Sequence, residues 1–206
     1  MWFIMEVLTV KNSAIKTFLS QFRNAQSSIY DCSVCVENMS IFLAGAISNS
    51  LETDEVEIKT PLGNKISEII SEDIVLVPVM RAGLSMLSGF QRILPKSSVG
   101  FVWAHRNKDV KAEIDVYKFP AKMVGKTIIL LDTMLATAGT INAVTNLVSV
   151  YEPKQIIVAS ILATELGINS LSDKVAMITV VDTTDILDEN MYIYPGVGDS
   201  GDRLYG

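Results

Sequence analysis

Residues 126–143 read KTIILLDTMLATAGTINA. Ile128 to Leu131 form a branched apolar run of the length expected for a buried strand, and an aspartate closes it. Thr133, Ala136, Thr137, Ala138, Gly139 and Thr140 follow, small or hydroxylated and uncharged. Ile141, Val144, Val148 and Tyr151 then resume at helical spacing. The spacing predicts a strand ending at Asp132, a tight turn, and a helix starting near 138–141. Free N–H groups at a helix N-terminus, with the positive end of its dipole, hold phosphate without a lysine. Small residues let the backbone approach, and threonine hydroxyls add donors. A carboxylate just ahead would repel bare phosphate but would accept hydrogen bonds from sugar hydroxyls, so the stretch suits a ribose phosphate. An ordinary strand–turn–helix junction with a threonine N-cap fits the same composition. The stretch is neither a Walker A loop nor a G-x-G-x-x-G loop.

Working outward, strand-like runs occur at 74–79, 99–104, 127–131, 156–162 and 175–181, with helix-length segments at 84–94 and 138–151. Strands apolar throughout, alternating with helices, predict an α/β fold: a mostly parallel twisted sheet flanked by helices. Further helices are expected near 12–23 and 28–48. EVEIKT (55–60) alternates at period two and meets the turn composition PLGN and then KISEII, which predicts a small β-excursion or hairpin. The start MWFIMEVLTV lacks a basic region and a small-residue cleavage site, and reads as an early strand or packed arm. Ligands in such sheets sit beyond the carboxyl ends of the strands. Chemistry is therefore expected at 80–85, 105–109 and 132–140.

The chain has 206 residues, 49% hydrophobic and 19% charged, enough for one sizeable core and read as a single domain over 1–206. Its apolar runs fall below the roughly 20 residues of a membrane helix, so no membrane association is expected and the expected compartment is the cytoplasm. A net charge of −6, with 17 scattered basic residues, argues against nucleic acid as a partner. Cys32 and Cys35 are spaced C-x-x-C, but zinc usually wants four ligands and His105 is the one histidine. Both cysteines share a helical stripe with Met39, Phe42, Leu43 and Ala46, and read as packed thiols.

The stretch from Asp132 to Thr140 resembles the phosphoribosyl-pyrophosphate (PRPP) loop of type I phosphoribosyltransferases. The likeness is strongest to the form D-P-M-L/I-A-T-x-G/S-S/T of the uracil phosphoribosyltransferases. VPVMRAGLSM (77–86) is similar to that family's pyrophosphate loop, V-P-I-L-R-A-G-L. YIYPGVGDSGDRLYG (192–206) is similar to its uracil-recognition segment, Y-I-x-P-G-L-G-D-A-G-D-R/K-x-F/Y-G. Weaker likenesses join HRNKD (105–109) to Y-R-N-E-E and VEIKTPLG (56–63) to E-T-P-L-G. Order and spacing agree from about residue 20 onward.

The resemblance implies transfer of the phosphoribosyl group of PRPP to uracil, giving UMP and pyrophosphate in pyrimidine salvage. It also implies a homodimer or homotetramer, with nucleotide and GTP binding among the family's properties. Cleavage at ribose C1 leaves positive charge on the ribose and negative charge on pyrophosphate, which arginine and Mg²⁺ stabilise. The Mg²⁺ is expected to be held through PRPP rather than by a cluster of protein carboxylates. PRPP contacts are implied for Arg81, Arg106, Asp132, Thr133, Met134, Leu135, Ala136, Thr137, Ala138, Gly139, Thr140 and Asp199. Uracil contacts are implied for Ile193, Gly198, Asp199 and Ser200, with 182–206 forming a base-recognition hood. Asp199 and Arg106 are the implied catalytic residues, Asp199 orienting or deprotonating N1 of uracil. A non-proline cis peptide is expected in the loop of Arg81. Asp202 and Arg203 are expected to form an ion pair, Tyr192, Ile193 and Tyr205 to anchor the hood, and His105 to stack or hydrogen-bond beside Arg106. Two other readings stay open: a PRPP- or nucleotide-sensing regulator on this fold, and a transferase for another base.

Thr133 stands at the family's proline, Ala138 where many members have glycine, and Met191 at a common glycine. FLAGAI (42–47) replaces L-L-A-Y-E-A, a change expected to alter subunit contacts or helix packing. Alanine at 138 suits a helix start unless the position needs positive φ.

Overall fold

The apolar runs assemble into one twisted sheet between two layers of helices, in a computed structural model that describes residues 5–106, 112–189 and 191–206. The chain begins with β1 (Glu6–Thr9), α1 (Ser13–Arg23) and α2 (Ile29–Ser48). Asn12 caps α1, its side chain accepting from Ile15 N. Ser28 and Asp31 close a reciprocal capping box at α2. The hairpin β2 (Thr53–Thr60) and β3 (Gly63–Ile70) pairs antiparallel as a separate ribbon. Then follow β4 (Ile74–Met80), a 3₁₀ turn (Ala82–Met86), α3 (Leu87–Ile93), β5 (Ser98–Val99), β6 (Phe101–Arg106) and β7 (Ala112–Lys118). The second half comprises β8 (Thr127–Leu135), α4 (Gly139–Ser149), β9 (Gln155–Ala163), α5 (Glu165–Asn169) and β10 (Val175–Asp182). It ends with β11 (Ile186–Leu187), β12 (Ile193–Tyr194) and α6 (Ser200–Tyr205).

The main sheet runs β1-β10-β9-β8-β4-β6-β7, with β5 beside β4. Its pairings are parallel except that of β7, which lies antiparallel on β6. From β4 the chain moves outward to β6, then returns to lay β8 on the opposite side of β4. The order thus reverses between β4 and β8, a switch point where crevices form at strand carboxyl ends. Alternate residues of the central strands face opposite layers. Leu76, Ile129, Leu131 and Ile157 join α1, α2 and α3 on one face. Val75, Val77, Ile128 and Leu130 join α4 on the other. Burying each such side chain contributes roughly 1.5–3 kcal/mol.

Cys32 and Cys35 are unpaired and buried in the first of these layers. Burial, with lesser effects of Cys32 and Asp31, pushes the Cys35 thiol up to about 11, so it behaves as a packed hydrophobe. A side chain at Gly45 would meet open space, so the FLAGAI departure leaves a gap on the surface of α2 rather than in the core. Among the described residues, no helix is long and apolar enough to cross a membrane.

Several expectations need correction. The third core strand does not stop at 131 but continues through Asp132 to Leu135, because β9 offers partners along its whole length, Asp132 facing Ser160. The run at 99–104 divides at Gly100, whose N–H bonds Leu76 O between β5 and β6. The segment expected as a helix over 84–94 starts as the 3₁₀ turn. β7 was not expected at all: its sequence, AEIDVYK, is polar and mostly exposed, as befits an edge strand.

Candidate active site

The crevice at the switch point is built from the carboxyl ends of β4 and β8 and from the chain's last segment. Along β8, Thr133 and Leu135 are buried while Asp132 and Met134 remain partly exposed, the alternation of a strand. Asp132 Oδ1 lies 3.4 Å from Met134 N. Beyond Leu135 the chain turns through 136–138 into α4. Asp132, Met134, Ala136, Ala138, Gly139 and Thr140 line a shallow recess there. The turn is held from below: Thr164 Oγ1 donates to Ala136 O at 2.6 Å, and Thr164 N to Leu135 O at 3.1 Å. Gly167 permits this seat, since a Cβ there would lie 2.7 Å from Ala136 O.

Ala138 is the N-cap of α4 at φ 60 and ψ 0, the left-handed region. The expectation that alanine suits this helix start is therefore corrected: the position does need positive φ. Met191, the other replaced glycine, has φ 64. The backbone keeps a glycine-like path at both sites although neither is glycine.

At the end of β4 the Met80–Arg81 peptide is cis, as expected. Arg81 Nη2 donates to Asp202 Oδ1 at 2.6 Å, and Nη1 to Gly206 O at 3.3 Å. The following loop packs directly on β8, where a Cβ on Gly83 would collide with the Leu131 carbonyl. Arg106 ends β6, next to β4; its side chain and the rest of the 105–109 likeness, 107–109, lie outside the described residues. His105 Nδ1 lies 2.7 Å from Asp115 Oδ2 on β7.

The C-terminal segment crosses above both strands. Ile193 is buried, and its strand pairs with β11. Tyr194–Pro195 is cis, and Gly196 and Gly198 adopt φ of 55 and 77. The Gly196 carbonyl accepts from Arg23 Nη1 at 2.9 Å, and the same guanidinium bridges Asp185 at 2.6 Å and Asp182 at 2.9 Å. Asp199 caps α6, its Oδ1 accepting from Asp202 N at 3.0 Å. Gly201 sits between Asp199 and Arg81: a Cβ there would be 3.2 Å from Asp199 Oδ1 and 3.3 Å from Arg81 Nη2. Ser200 is buried, and its Oγ accepts from Thr133 Oγ1 at 2.9 Å.

The expected Asp202–Arg203 pair does not form, because adjacent helical residues do not face each other. Asp202 turns to Arg81. Arg203 instead donates to Phe22 O at 2.7 Å, Asn24 O at 2.7 Å and Val197 O at 3.1 Å, with Cys32 Sγ at 3.3 Å. Of the expected anchors, Ile193 is buried and Tyr205 keeps a side-chain hydrogen bond with Ser85, whereas Tyr192 is 58% exposed; Val197 and Leu204 are buried as well. The supporting roles of Arg23, Asp182, Asp185 and Arg203 left no local signal, since their partners lie far along the chain.

A family model described as uracil phosphoribosyltransferase matches residues 9–206. The chain belongs to the uracil phosphoribosyltransferase family. It is 31% identical to the uracil phosphoribosyltransferase of Malacoplasma penetrans, over 93% of this chain and 95% of that one. The solved AQ2163 protein of Aquifex aeolicus superposes with a TM-score of 0.90 at 29% identity, covering 97% of each chain. A purine phosphoribosyltransferase from Pyrococcus horikoshii shares the fold more loosely, at TM-score 0.50 and 16% identity over 72% of this chain and 84% of that one. Within the uracil phosphoribosyltransferase pattern, Thr133 and Ser200 replace proline and alanine, and the structure joins these two departures in one hydrogen bond.

Proposed function

We propose that the chain transfers the phosphoribosyl group of PRPP to uracil, forming UMP and releasing pyrophosphate. Besides family membership, the observation that carries this reading is convergence. The Arg81 loop, the 132–140 loop and the 198–202 segment come from three distant parts of the sequence and meet over one switch point.

In this reading the recess at the start of α4 takes the 5′-phosphate on backbone amides and the hydroxyl of Thr140. Asp132, on the partly exposed side of β8, accepts hydrogen bonds from ribose hydroxyls. Arg81 and Arg106 are the arginines assigned to the pyrophosphate. The base lies along Ile193, Gly198, Asp199 and Ser200, whose backbone amides and carbonyls can match uracil's two carbonyl acceptors and N3–H. As the C1–pyrophosphate bond breaks and the N1–C1 bond forms, the N1 proton leaves; Asp199 is placed to take it or to orient N1. The side chains of Thr133 and Leu135 are buried, so in this reading they meet PRPP through their backbone while the side chains hold the loop.

No cluster of three or more His, Cys, Asp or Glu able to hold a metal occurs among the described residues. In this reading Mg²⁺ is held through PRPP oxygens and water, with Asp132 the carboxylate that the loop itself contributes. When bound, Mg²⁺ supplies charge neutralisation on the departing pyrophosphate. We read 1–206 as one phosphoribosyltransferase domain with 182–206 as its base-recognition segment, working as a homodimer or homotetramer. The exposed apolar residues Ile58, Leu62 and Ile66 on the β2–β3 ribbon support the oligomer reading.

The test is UMP formation from uracil, PRPP and Mg²⁺, with cytosine, hypoxanthine and orotate in parallel and light scattering for assembly. Turnover with uracil alone, lost in Asp199→Ala, supports the reading. Tight PRPP binding without turnover on any base sinks it in favour of a sensor.

A further inference from the structure

We propose that the Thr133–Ser200 hydrogen bond is a positioning contact that sets the base-recognition segment against the PRPP loop; the proposal rests on the uracil-transfer reading above. Thr133 is fully buried and Ser200 is 5% exposed, so the bond is shielded from competing water. Each hydroxyl sits one residue from a carboxylate assigned to a different substrate, Asp132 for ribose and Asp199 for uracil. A bond of 2.9 Å between residues 133 and 200 therefore fixes the separation of the two half-sites. Reaction between C1 and N1 depends on that separation.

A second tie to α6, from Arg81 in the loop after β4 to Asp202, joins side chains 43% and 66% exposed, where water and salt weaken it. The two half-sites are also supported by different elements. Thr164 and Gly167 hold the PRPP loop from beneath. The base-recognition segment is held instead to α1 and its end, by Arg203 on Phe22 O and Asn24 O and by Arg23 on Gly196 O, and its hydrogen bond to β8 among the described contacts is Thr133–Ser200. Loss of the Thr133–Ser200 bond should thus be felt by uracil more than by PRPP.

The test is a double-mutant cycle of Thr133→Val and Ser200→Ala, with Thr133→Ser as the conservative control. It is read as kcat, KM for uracil, KM for PRPP and melting temperature. Either single change leaves one buried hydroxyl without its partner, and removing both relieves that penalty. Each single variant is expected to raise KM for uracil about tenfold, leaving KM for PRPP within about twofold of wild type. The double variant should be no worse than either single, and Thr133→Ser should lie near wild type. Multiplying effects in the double variant overturn the proposal. So does an equal rise in both KM values, or a lowered melting temperature with both KM values unchanged. A wild type that makes no UMP overturns the functional reading and this proposal together, whereas an active wild type with a multiplicative cycle overturns only the latter.

Discussion

The guanidinium of Arg81 donates to the carboxylate of Asp202 at 2.6 Å, tying the loop after β4 to the final helix of the chain. The pair is largely solvent-exposed, so it contributes little to stability, about 0.2–1 kcal/mol. In the proposed reading its larger effect is to orient an arginine assigned to pyrophosphate. Asp202→Ala is expected to change stability by less than about 1 kcal/mol while raising KM for PRPP several-fold. Because salt screens the pair, the gap between wild type and variant should narrow as ionic strength rises. Steady-state kinetics at low and high salt, beside thermal melts, check this.

Positive φ at Ala138 and Met191 gives opposite engineering outcomes. Met191 is 39% exposed with φ 64, so a glycine there relieves left-handed strain without losing buried area. Met191→Gly should stabilise the fold by about 0.5 kcal/mol, the relief being partly offset by greater freedom of the unfolded chain. Ala138 is 3% exposed at φ 60. Ala138→Val adds β-branching and volume where neither fits, and should cost about 2 kcal/mol or more. Urea unfolding of both variants measures the contrast.

Arg203 satisfies three carbonyls from two separate stretches, at residues 22, 24 and 197, with its guanidinium carbon 5.7 Å from the Phe22 ring centroid. A lysine keeps the charge but not the planar fork of donors. Arg203→Lys should destabilise the protein by about 2–3 kcal/mol. Hydrogen exchange should show the extra opening concentrated in 196–206 and at the end of α1.

Glu72 offers a pH-dependent readout at the opposite end of the sheet. Burial pushes its carboxyl up, but hydrogen bonds from Thr127, the Glu52 backbone, Gln155 and Lys154 together hold it below its ordinary 4.5. With the folded value depressed, the stabilisation is fully present above the unfolded value and is lost as pH falls through the folded one. Glu72→Gln should therefore melt below wild type at pH 7. The two melting temperatures should draw together as the medium is acidified below about pH 4.5. A gap unchanged down to the most acidic condition would show that the carboxylate's charge is not what the four donors stabilise.

Much of the architecture was legible along the chain. Residues 127–131 or 156–162 are apolar on both sides, and only a strand covered by two layers uses such a run, so the parallel sheet followed. The C-x-x-C thiols and the hairpin that opens with EVEIKT (55–60) are likewise local features, decided within a few residues. The site loops were legible by family likeness at 77–86, 132–140 and 192–206. The edge strand β7 was not, because its mixed polar composition matches loop as well as strand and only β6 selects between them.

What the sequence by itself determined is the set of short-range choices: apolar periodicity, caps, turns and the motifs that place chemistry at strand ends. What only the tertiary structure decided is who partners whom. Asp202 reaches Arg81 rather than its neighbour Arg203, and Arg203 spans to Phe22 and Asn24. Thr133 meets Ser200 across 67 residues of chain. Ala138 takes φ 60 where the loop enters α4. Side-chain partners at that distance are chosen by the packing of the sheet and helices, and a linear pattern carries no record of them until the chain has closed on itself.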